Sequence, residues 1–80
     1  MRIEKGDLVR HFKSELVEDE NRYKYLVIEF AEHVDSGDKL VIYESLYNGK
    51  VYARLFEKFM SEVDREKYPE IKQKYRFEKI

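Results

Sequence analysis

The chain has no cysteine, which excludes a disulfide framework and any cysteine-based zinc site. It has no tryptophan, one proline and three glycines, so Gly6, Gly37, Gly49 and Pro69 stand out as the few punctuation marks along it. No apolar run approaches the ~20 residues that a membrane helix takes. The opening MRIEKGD carries no apolar signal segment, so the reading expects a cytoplasmic location and no membrane partner. Charge of one sign is missing too: sixteen Lys and Arg face seventeen Asp and Glu, a net charge of −1. Affinity for nucleic acid rests largely on phosphate neutralisation, so any such binding has to be local and led by stacking. There is no G-x-S-x-G elbow, phosphate loop or H-E-x-x-H, and 80 residues leave little room for a water-excluding pocket. Catalysis with His11 or His33 as base is therefore the least favoured reading. The chain is expected to be no enzyme and to carry no cofactor.

What is present favours a sheet. Seven Tyr and five Phe, with β-branched residues, supply most of the apolar surface. A first strand is expected over Gly6 to Lys13, where Leu8, Arg10 and Phe12 alternate with Val9 and His11. The acidic run from Ser14 to Arg22 reads as a solvated loop; its adjacent carboxylates lack the spacing of a calcium loop. Tyr23 to His33 is the longest strand, apolar on both faces and so central. Val34 to Asp38 is a turn with Gly37 free to take positive φ, and its His33, Asp35 and Asp38 are read as turn-capping groups rather than metal ligands.

Asn48-Gly49 lies between two strand-like runs, the strongest short hairpin signal available. A two-residue loop there pairs Ser45 with Tyr52, Tyr43 with Arg54 and Ile42 with Leu55. One face then carries Leu40, Ile42, Leu46, Val51, Ala53 and Leu55, an aliphatic set expected to pack on the core. The other carries Val41, Tyr43, Ser45, Tyr47, Lys50, Tyr52 and Arg54, an aromatic surface with basic neighbours suited to stacking and to pairing with an anion. Beyond it, Phe56, Phe59, Met60 and Val63 have the spacing of a short helical turn. Pro69 is expected to start a brief helix through Ile71 and Tyr75, and YRFEKI to form a closing strand. The sum is one domain over residues 1–80: a small, SH3-like, strongly bent antiparallel sheet or barrel of about five strands with one short helical turn.

Four segments carry a resemblance: VRHFK (Val9 to Lys13), HVDSGDKLVIYESLY (His33 to Tyr47), YARLFEKF (Tyr52 to Phe59) and RFEKI (Arg76 to Ile80). In content and order they resemble a short bacterial family, domain of unknown function sixteen fifty-three. The matching positions are His11, Lys13, His33, Tyr43, Tyr47, Arg54 and Phe59. Tyr52 stands where that family tends to have Trp and Leu55 where it tends to have Pro. The acidic stretch after Lys13 is longer than usual for it. A Tyr for Trp keeps a stacking ring and gives up the indole N–H. The resemblance implies a fold and no activity.

The favoured expectation is thus a non-catalytic binding module whose ligand-contacting residues are Tyr43, Tyr47, Tyr52 and Arg54, with His11 and Lys13. Its partner would be a peptide, a protein surface or a single-stranded nucleic acid. The alternative is a homodimer whose self-association contact is the tyrosine face.

Overall fold

A computed structural model describes residues 2–80, with Glu20 described by its backbone alone. Five strands form one antiparallel sheet: β1 (Leu8–His11), β2 (Lys24–Glu32), β3 (Lys39–Ser45), β4 (Val51–Leu55) and β5 (Phe77–Lys79), in the order β4-β3-β2-β1-β5. The mainly-β, five-stranded reading holds, and β2 is central as expected. Ile28 is an extra residue in β2, since Val27 pairs with Tyr43 while Glu29 pairs with Ile42. That bulge switches Phe30 onto the same face as Val27, opposite to plain alternation. Gly37 takes φ +76°, and the turn after β2 is capped by His33, whose Nδ1 accepts from the amides of Asp35 (3.2 Å) and Ser36 (3.3 Å).

Two expectations about the hairpin are corrected. The loop between β3 and β4 takes in the four residues 46–49 instead of two, and Tyr43 pairs with Tyr52 and Leu40 with Leu55. The cause is local: the Ser45 hydroxyl accepts from the amides of Tyr47 and Asn48, the Gly49 N–H donates to the Ser45 carbonyl (2.9 Å), and the Asn48 side chain accepts from Lys50. Within this loop only Gly49 takes positive φ, at +73°, whereas a two-residue turn of the expected kind needs Asn48 there as well. The register slips by two residues, which keeps the strand residues on their predicted faces while Leu46 and Tyr47 pass into the loop.

Which face is buried is the reverse of the expectation. Val41 is 0% exposed and Tyr43 4%, while Val51 is 58% exposed and Leu55 39%. The aromatic face is the core face because rings bury more area than Val or Leu and the rest of the chain lies over it. Phe59, from the single-turn helix α1 (Phe56–Phe59), stacks on Phe77 of β5 with centroids 4.0 Å apart, and Tyr43 meets both rings edge-on. Val9, Val27 and Ile3 complete this cluster.

The cover is irregular chain between α1 and β5. Residues 61–63 and 74–76 run antiparallel, joined by Val63 N–H to Lys74 O and Arg76 N–H to Ser61 O. No helix starts at Pro69, a further correction. The backbone there is instead paired by side chains: the Arg65 guanidinium donates to the carbonyls of Ile71 and Gln73, and the Glu15 carboxylate accepts from the amides of Lys72 (3.0 Å) and Gln73 (2.9 Å). Groups satisfied in this way do not need a helix. Ile71 meanwhile joins Phe12 and Val63 in a second apolar cluster. The first strand also stops early, at His11, because the His11 Nδ1 accepts the Lys13 amide (3.1 Å) and turns Phe12–Leu16 into a short 3₁₀ segment.

Candidate anion-binding cleft

Where β1 gives way to that turn, four parts of the chain meet around a cleft of about 280 Å³. His11 comes from the end of β1, Phe12 and Lys13 from the 3₁₀ segment after it, Arg54 from β4, Asp64, Lys67 and Tyr68 from the covering segment, and Arg76 from the residue before β5. Each is held for a local reason. His11 faces inward by strand alternation, stacked on Phe12 (4.4 Å) and edge-on to Phe77 (4.9 Å). Arg54 shares its face with Tyr43, and its Nε donates to the Tyr43 hydroxyl (3.1 Å). That bond fixes the guanidinium 5.7 Å from the Phe77 ring centre and leaves its two terminal nitrogens for a ligand. The Arg76 backbone is tied on both sides, donating to Ser61 O and accepting from Phe12 N–H, yet its buried Nε has no hydrogen-bond partner among the described residues.

The charges do not cancel. Lys13, Arg54, Lys67 and Arg76 line the cleft with a single carboxylate, Asp64. Asp64 is turned onto its own loop, where Oδ1 accepts from the amides of Glu66 (3.0 Å) and Lys67 (3.4 Å). Among the described residues, no carboxylate lies within ion-pair distance of any of the four cations. In a chain of net charge −1, this is a strongly local positive field.

The same field acts on His11. Burial first, and then Arg54, Lys13 and Arg76, push its pKa down to about 3, so the ring is neutral at ordinary pH. Its Nδ1 already accepts the Lys13 amide, which places the proton on Nε2 as a hydrogen-bond donor. The cleft is thus lined mainly by donors, with the half-buried Tyr68 packed edge-on against Phe12 (4.8 Å). Such a lining fits an oxyanion, with Arg offering two parallel N–H groups to phosphate or carboxylate.

Of the six ligand-binding residues expected from the sequence, His11, Lys13 and Arg54 are brought together here. Tyr43 lies beneath them, too buried to stack with a ligand, and acts as the acceptor that orients Arg54. Tyr52 is 40% exposed, packs on Tyr43 and Tyr25 at the sheet edge and does not line the cleft. Tyr47 sits on the loop before β4, with the Arg22 guanidinium 5.6 Å from its ring centre, and does not line it either. Sequence reasoning missed Asp64, Lys67, Tyr68 and Arg76. The first two lie in a run of charged residues with no periodicity to place it, and Arg76 in the closing strand, whose neighbour in the sheet local pattern does not name. A larger hollow of about 730 Å³, bordered by Arg10, Glu15, Gln73 and Glu78, differs in kind. The carboxylates of Glu15 and Glu78 are spent there on backbone amides, and Gln73 on Arg10 and nearby carbonyls.

The family model described as "Protein of unknown function (DUF1653)" matches residues 7–79, in keeping with the resemblance noted in the sequence. Searches of curated proteins and of solved structures found no match.

Proposed function

We propose a binding role for this chain, which belongs to the DUF1653 family, a family whose description assigns no activity. The protein is a non-catalytic module that grips one oxyanion group of a partner in the cleft between Lys13, Arg54, Lys67 and Arg76. The observation that carries this reading is the convergence, around a neutral, donor-bearing His11, of four cations that have no ion-pair partner among the described residues. A compact cluster, as opposed to a basic stripe, supports recognition of a discrete phosphorylated or acidic peptide motif over the running backbone of a nucleic acid. Tyr43 and Phe77 hold Arg54 in place, so the site is prepared before the ligand arrives.

The test is an amide NMR titration of the labelled chain with inorganic phosphate, a phosphoserine peptide, an unmodified acidic peptide and a short single-stranded oligonucleotide. Shifts should concentrate at Lys13, Arg54, Lys67 and Arg76. Lys67→Gln, an exposed change that leaves the fold alone, should weaken binding about tenfold, as expected for one charged hydrogen bond. No shift at these amides with any of the four probes would sink the proposal. A response to the oligonucleotide alone would replace the peptide reading.

A further inference from the structure

The sheet has two edges, and they are treated differently. On the β5 side the strand is three residues long and carries Glu78 and Lys79, the latter ion-paired to Asp7 at 3.3 Å. A short, charged edge of this kind resists adding another strand. On the β4 side, five residues, Val51–Leu55, lie along the border, with no proline or bulge and with Arg54 as the one charge.

The register says which backbone groups are spare. The Ser45 N–H donates to the Lys50 carbonyl (2.8 Å), so 45 and 50 form a hydrogen-bonded pair. Alternation along an antiparallel ladder makes 43–52 and 41–54 hydrogen-bonded pairs as well. Tyr52 and Arg54 therefore spend their N–H and C=O groups on β3, while those of Val51, Ala53 and Leu55 face outward. Among the described residues, no strand pairs with that side. The side chains there are open too: Val51, Tyr52, Ala53 and Leu55 are all exposed.

From this we infer that β4 pairs edge to edge with the β4 of a second copy, antiparallel and centred on Ala53, joining two five-stranded sheets into one. The sequence VYARL is complementary to itself in that register. Ala53 meets its own counterpart and Val51 meets Leu55, both as hydrogen-bonded pairs that use the outward N–H and C=O groups. Tyr52 meets Arg54 in the closer, non-hydrogen-bonded position, where no like charges oppose and the Arg54 guanidinium stays turned inward on Tyr43 and Phe77. A slip by two residues would place Arg54 opposite its own counterpart or leave the tyrosine without it, so the pairing has a preferred register. The seam also makes the exposed aliphatic faces of the two sheets continuous.

Two readouts test the seam. In amide hydrogen exchange at increasing protein concentration, the amides of Val51, Ala53 and Leu55 should slow at least tenfold, while those of Tyr52 and Arg54 are already slow in the single copy. Because the chain lacks cysteine, Ala53→Cys introduces a lone thiol on the two-fold axis. Under mild oxidation it should form a disulfide dimer at least tenfold faster than Val34→Cys, placed on a turn where the native side chain is 93% exposed. Equal cross-linking rates at the two positions would overturn the inference. So would a mass in sedimentation that stays monomeric at all concentrations, or a dimer in which those three amides keep exchanging fast, as it would show contact through the sheet face.

Discussion

His11 is the residue whose chemistry is most altered by its surroundings. Its folded pKa, about 3, lies below the ordinary value near 6.5, so acid favours the unfolded chain, where the ring can take up its proton. The stability tied to this ring is complete above about pH 6.5 and is lost as pH falls from there toward about 3. Asp7, Glu15 and Glu29, held below their usual range by backbone amides and lysines, lose their share only below about 4.5. Between about pH 7.5 and about pH 5 the slope therefore reports on His11, and urea unfolding should show a loss of at most about 2 kcal/mol. His11→Asn keeps an acceptor for the Lys13 amide and removes the titration. It should flatten that part of the curve, and an unchanged slope would mean that His11 is not the group responsible.

At the scale of elements, the loop between β3 and β4 decides how the hairpin is built. Under a two-residue turn Asn48 and Gly49 would both need positive φ, and replacing either by Ala would cost about the same. With Gly49 alone in that region, Gly49→Ala should cost about 1–2 kcal/mol. Asn48→Ala loses only one exposed hydrogen bond to Lys50 and should cost about 0.5–1 kcal/mol. Ser45→Ala removes a buried acceptor of two amides and should fall at or above the upper end of that range. Thermal unfolding of the three variants separates the two turns by the order of their melting temperatures.

For the whole molecule, the decisive question is which side of the sheet the chain folds over. Phe59 and Phe77 are stacked in the fully buried centre, so Phe59→Ala should cost about 3–5 kcal/mol, a large share of the stability of a domain this small. Val51→Ala and Leu55→Ala, on the uncovered face, should each cost less than about 1 kcal/mol. Chemical denaturation of these variants would reveal a core on the aliphatic face by reversing that order.

Much of the β architecture could be read from local signals. Strand periodicity located β2 and β3 within a residue or two, and the spacing of Phe56, Phe59 and Met60 located the start of α1, because side-chain alternation and helical spacing are properties of neighbouring residues. Parity even sorted the hairpin's side chains into the right two faces despite a wrong loop, since a slip of two preserves it. Tertiary structure alone decided which of those faces became core. Both were apolar enough to be buried, and the choice fell to where residues 60–76 lie, a path set by contacts such as Arg65 with Ile71 and Glu15 with Gln73. The cleft was half legible for the same reason. His11, Lys13 and Arg54 carried signals of their own, but Lys67 and Arg76 are ordinary charged residues until the covering segment brings them, from far along the chain, to the end of β1.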